Sequence, residues 1–110
     1  MTKIFSLLAV LFTGCMWAAM ATAGDIQAGR SIAEKTCHTC HGVDGVATVA
    51  MTPNLSGQQK EYLDVQLKHF RAGKRRHEQM TIIAKMLSDD DIENVIEWYS
   101  SIKVTLQLPE

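Results

Sequence analysis

The chain has 110 residues, 46% hydrophobic and 21% charged, with eleven basic against twelve acidic side chains and a net charge of −1. That length supports one small domain, whose core is marginal without a staple or a bound centre. The near-neutral balance excludes a general nucleic-acid binder, which needs surplus cations against phosphate.

Lys3 is the only charge ahead of an apolar run from Ile4 to Met20, closed by the small residues Ala21-Thr22-Ala23. A basic start, an apolar stretch and an A-x-A-like end predict a signal peptide over residues 1–23, an exported, periplasmic protein and a single domain over residues 24–110. Two alternatives remain: retention of the run as a membrane anchor, or lipid attachment at Cys15 in Phe12-Thr13-Gly14-Cys15. Membrane association is expected only in those two cases. Cleavage also removes Cys15, so Cys37 and Cys40 are the remaining thiols and no structural disulfide is expected.

A first helix is predicted over about Asp25 to Thr36, with Ile26, Ala28, Gly29, Ile32 and Ala33 available for its buried side. Gly29 inside a helix costs about 1 kcal/mol relative to Ala. It makes sense where another helix crosses closely, or as a tolerated surface glycine.

Next comes Cys37-His38-Thr39-Cys40-His41, which matches C-x-x-C-H, the attachment signature of a c-type haem. Each thiol adds to one vinyl group, and the adjacent imidazole reaches the iron from the same side. A zinc site would need further ligands, and His69 and His77 lie eight apart, outside the usual H-x3-5-H spacing. A thioredoxin-like dithiol would need a βαβ pattern, and no such strand is present in the sequence. Haem iron cycles between two oxidation states, so the default role is electron transfer or redox chemistry.

A loop rich in small residues runs from Gly42 to Thr52, followed by Pro53-Asn54-Leu55-Ser56-Gly57. Ser56 with Gln59 fits a capping box for a second helix. Tyr62, Leu63, Gln66, Leu67 and Phe70 follow at helical spacing, with Gly73 as the C-terminal stop. Lys68, Arg71, Lys74, Arg75 and Arg76 make a basic run, partly a helix end favoured by the dipole and partly a patch to steer an acidic partner. A short helical turn is predicted around Thr81 to Leu87. A third helix opens at Ser88 with Asp91 as its capping partner and carries an Ile92, Val95, Ile96, Tyr99, Ile102 stripe. The fold class is all-α: three main helices and a short helical turn packed around one covalently attached haem.

Several stretches beyond C-x-x-C-H resemble the class I c-type cytochromes, the small soluble bacterial monohaem kind, across most of residues 25–102. Pro53-Asn54-Leu55-Ser56-Gly57-Gln58 is similar to the family's P-x-L-x-G-Q segment. The resemblance implies that the Pro53 carbonyl accepts a hydrogen bond from His41 and that Leu55 belongs to the cofactor-binding set. Gly29 resembles the family's first-helix glycine, which packs on an aromatic of the last helix, Trp98 or Tyr99 here. The second iron ligand is implied to be Met80, 39 residues after His41 and seven before Leu87-Ser88. The chain departs from the pattern in lacking a proline just before Met80 and in carrying His77 nearby. Met86 and Met51 read as core filler, His77 as a solvated loop residue, and Arg75 resembles a family position near the haem propionates.

The chain thus reads as a periplasmic one-electron carrier with one haem c on Cys37 and Cys40, His41 and Met80 on the iron, and protein redox partners. It is not read as an enzyme. The alternatives are a haem subunit of a larger oxidoreductase complex, or an open-site haem enzyme or gas sensor.

Overall fold

The computed structural model describes residues 23–110; apart from Ala23, the predicted signal peptide lies outside the described residues. Helix α1 spans Ile26–Ile32, continues without a break through a π-helical segment, Ala33–Cys37, and runs into the short α2, His38–His41. Helices α3 (Lys60–Arg71), α4 (Glu78–Met86) and α5 (Asp89–Ser101) come after it. There is no strand among the described residues, and none of these helices is long and apolar enough to cross a membrane.

Asp25 starts α1: its carboxylate accepts from the amides of Gln27 at 2.8 Å and Ala28 at 2.9 Å, satisfying two of the orphan donors of a helix start. The amide of Asp25 in turn donates to Asn94 Oδ1 at 2.7 Å, tying this start to α5. The helical run continues through the attachment motif instead of stopping near Thr36. A π turn closes hydrogen bonds over five residues and adds one residue to the turn, which rotates the attachment motif about the helix axis relative to α1.

Helix α5 is the centre of the core. Its Ile92, Val95, Ile96 and Tyr99 are buried, Ile92 and Ile96 completely, against Ala33, Leu63 and Leu87. Each fully buried side chain of this size contributes about 1.5–3 kcal/mol. The capping box is present at Ser88: its hydroxyl accepts from the Asp91 amide at 3.1 Å, and the Asp91 carboxylate accepts from the Ser88 amide at 2.9 Å. These bonds hold the Asp91 carboxyl below the usual carboxylate range, the backbone donor first and the hydroxyl second.

Helix α1 crosses α5, while α3 packs on both α5 and α4. Gly29 is buried at the crossing, against the Asn94 backbone and 3.0 Å from Trp98 Cβ as measured from a built Cβ. Close backbone approach therefore explains the glycine, and Trp98 is the aromatic beside it. Ile26, by contrast, is 40% exposed and lies outside the core.

Three further expectations are corrected. Ser56 does not cap α3, which begins only at Lys60; the Ser56 hydroxyl donates instead to the Gly45 carbonyl, and Gln59 at the N-cap makes no side-chain cap bond. The Thr81–Leu87 turn is a nine-residue helix beginning at Glu78, because His77 supplies a cap that lies outside the usual Ser, Thr, Asp and Asn set. Met86 and Met51 are not core filler: Met86 is 72% exposed, since Ala84 and Leu87 take the buried positions at that end of α4, and Met51 is fully exposed in the loop before Pro53.

Candidate functional site

A helical turn carries the attachment motif, so sequence spacing becomes a shared face. Cys37 closes the π segment, and Cys40 and His41 follow at three and four residues, the separations that bring side chains together on a helix. Both thiols are free and half-buried. Burial pushes the Cys37 thiol up to about 11, with the Tyr99 hydroxyl partly opposing the shift.

His41 is buried, and its Nδ1 lies 2.9 Å from the Pro53 carbonyl oxygen. A carbonyl only accepts, so Nδ1 carries a proton and donates, and Nε2 is the ring nitrogen turned away from that bond. Nε2 makes no hydrogen bond among the described residues. An imidazole held by a carbonyl on its far nitrogen has the orientation that a metal-ligating histidine adopts. Two thiols for thioether bonds beside one oriented imidazole fit a haem of the c type.

The loop that delivers Pro53 is laced to α5. Tyr99 Oη donates to the Gly42 carbonyl at 2.9 Å, and Trp98 Nε1 to the Val43 carbonyl at 2.8 Å. Burial, and then the neighbouring Cys37, raise the Tyr99 phenol well above its ordinary value, so it stays a donor. Further along, the Leu55 amide donates to the Gly45 carbonyl at 2.7 Å, and the Ala47 amide to Asn54 Oδ1 at 2.8 Å. Sequence reasoning placed Tyr99 in the helix stripe but missed this role. The available signal was an aromatic with a polar tip at a buried position, which needs a partner.

Leu55 is half-buried and packs on the core cluster. Met80 lies apart in chain and layer, in the first turn of α4, half-buried, with its amide donating to His77 Nδ1 at 3.3 Å. His77 is thus a helix cap and not a free loop histidine. Arg75 donates from Nη1 to Gln66 Oε1 at 2.6 Å and sits over the Phe70 ring, 4.6 Å from its centroid.

The basic run is only partly available for steering. Lys68 pairs with Asp64 at 2.7 Å, and Arg71 with Asp89 at 2.6 Å. Lys74 and Arg76 make no ion pair among the described residues, nor does Lys85 on α4, which lines an open cleft of about 580 Å³ together with Arg76, His77 and Ile82.

An all-helical domain with C-x-x-C-H on a helical turn, and its histidine held by a following proline carbonyl, defines a covalent haem protein. The chain belongs to the c-type cytochromes: residues 24–98 match the family described as cytochrome c oxidase, cbb3-type, subunit III. It is 42% identical over 82 residues to cytochrome c-554(548) of Halomonas halodenitrificans, covering 72% of this chain and 98% of that protein. Among solved structures it is similar to reduced recombinant cytochrome c4 from Pseudomonas stutzeri, with a TM-score of 0.67 and 37% identity over 74% of this chain. It is also similar to thiosulfate dehydrogenase from Marichromatium purpuratum, with a TM-score of 0.67 and 32% identity over 71% of this chain. The chain spans 47% of that cytochrome c4 and 19% of that dehydrogenase.

Proposed function

We propose that this protein is a monohaem electron carrier of the periplasm, exported by a signal peptide over residues 1–23. The observation that carries the reading is His41, oriented by the Pro53 carbonyl, beside Cys37 and Cys40. A bound haem supplies reversible one-electron chemistry between ferric and ferrous iron. Cys37 and Cys40 would hold it covalently and His41 would be the proximal ligand. The Pro53 carbonyl keeps that ring in one tautomer and orientation. Met80 is the distal ligand in this reading; a thioether is soft, favours the ferrous state and fills the position a substrate would need. Leu55 contributes apolar wall, and Arg75 is a cation available to a propionate if it leaves Gln66. Lys74, Arg76 and Lys85 form the face that an acidic redox partner would meet.

A redox titration of the holoprotein, monitored by absorption spectroscopy, tests this. A carrier gives one reversible single-electron transition and six-coordinate low-spin spectra in both states. A five-coordinate ferric spectrum, with rapid binding of cyanide to the ferric form and of carbon monoxide to the ferrous form, would establish an open-site enzyme or sensor instead. Similarity to a thiosulfate dehydrogenase favours a second reading, a haem subunit of a larger oxidoreductase. Size-exclusion of native extract separates the two: a carrier elutes at its own mass, a subunit with its complex.

A further inference from the structure

The start of α4 carries a closed set of three hydrogen bonds around Met80. His77 Nδ1 accepts from the Met80 amide at 3.3 Å, and the His77 carbonyl accepts from the Thr81 amide at 2.9 Å. The His77 amide in turn donates to Thr81 Oγ1 at 3.1 Å. Two orphan donors of this helix start are therefore satisfied, the Met80 amide by the His77 imidazole and the His77 amide by the Thr81 hydroxyl, so the capping residue is itself held by the helix it caps. His77 has extended backbone (φ −155°, ψ 137°), the conformation an N-cap requires.

Little else holds this turn. Ala84 is the one buried residue of α4, and Leu87 enters the core just beyond it, so the helix is anchored at its far end. The preceding loop is tied at Arg75, through its amide to the His69 carbonyl and its guanidinium to Gln66, and then runs exposed to His77. An uncapped first turn frays, because its amides gain nothing from helical geometry without an acceptor. Met80 lies in that turn.

We infer that His77 is the positioning residue for the distal methionine: its imidazole caps α4 so that Met80 is presented from a closed turn, and a frayed turn releases the iron's sixth position. The inference rests on Met80 being the distal ligand. It also gives His77 a task that occupies Nδ1. Loss of an N-cap costs about 1 kcal/mol, which at room temperature is about a fivefold rise in the released population.

The test uses ferric holoprotein and cyanide as the probe of an open sixth position, in His77→Ala, His77→Asn and Met80→Ala. His77→Ala is expected to bind cyanide about fivefold faster than the native protein at subsaturating cyanide and to weaken the far-red band of thioether-bound ferric iron. His77→Asn restores a short side-chain acceptor and is expected to return the rate to within about twofold of native. Met80→Ala is expected to lose the band and bind cyanide fastest. If His77→Ala lowers only the unfolding midpoint and leaves cyanide binding and the band native, His77 is a plain structural cap and the inference falls. If Met80→Ala keeps the band, the ligand reading falls first and takes the inference with it. A rate in His77→Asn equal to that of His77→Ala also overturns capping as the cause.

Discussion

Gly29→Ala turns the sign of an ordinary helix rule. In an exposed helix interior this change stabilises by about 1 kcal/mol, because alanine is the better helix former. Here a built Cβ would lie inside the Asn94 carbonyl group, 2.6 Å from its carbon, and 3.0 Å from Trp98 Cβ, where ordinary contact begins at 3.4 Å. The atoms in the way are backbone atoms of α5 and the root of Trp98, so no rotamer change relieves the clash. Helix α1 must move away from α5 by the better part of an ångström. That shift also strains the hydrogen bond from the Asp25 amide to Asn94 and the packing of Ala33 on the core. Overpacking costs about 1–3 kcal/mol, and backbone in the way puts this site at the upper end; net of about 1 kcal/mol of helix gain, we expect a loss of about 2 kcal/mol. For a domain of this size that lowers the melting temperature by about 8–16 °C. Thermal unfolding of the holoprotein, monitored by far-ultraviolet circular dichroism, measures it. Gly73→Ala is the control: nothing lies within 4 Å of its built Cβ, and its left-handed φ of +75° leaves only a conformational strain of about 1 kcal/mol. A Gly29→Ala protein as stable as native would refute the close-crossing argument.

Replacing both Cys37 and Cys40 with alanine is expected to abolish native near-ultraviolet dichroism, because so few side chains are fully buried without the cofactor's contribution. Met86→Ala is expected to change stability by less than about 0.5 kcal/mol in urea unfolding, given its exposure, and to leave the iron spectrum native. Ser88→Ala removes one capping bond and is expected to cost about 1 kcal/mol. Asp91 titrates below its ordinary value, so its contribution is present above about pH 4 and is lost as pH falls from there; the stability gap between native protein and Asp91→Asn should close in acid unfolding experiments. Neutralising Lys74, Arg76 and Lys85 is expected to lower the association rate with an acidic partner and flatten its salt dependence. Neutralising Lys68, already paired with Asp64, should change it much less in stopped-flow measurements.

Local chemistry determined much of this protein. C-x-x-C-H names its cofactor because the spacing of two thiols and an imidazole is itself the reactive arrangement, and the Ser88–Asp91 capping box was legible because both partners lie within one turn. The stripe of Ile92, Val95, Ile96 and Tyr99 comes from helical period alone. Relations between distant segments needed the tertiary structure. Gly29 allows either a surface site or a crossing, and only the Asn94 backbone lying against it decides. Ser56 carries a valid capping pattern, yet its hydroxyl turns to the Gly45 carbonyl because the loop between them folds back. Met86 has the composition of core filler but faces outward, since Ala84 and Leu87 occupy the inner side of that turn. His77 lies outside the usual set of capping residues, so its place at the head of α4 had no sequence signature. Its imidazole becomes a cap only because the chain enters that helix in an extended conformation that brings Nδ1 to the Met80 amide.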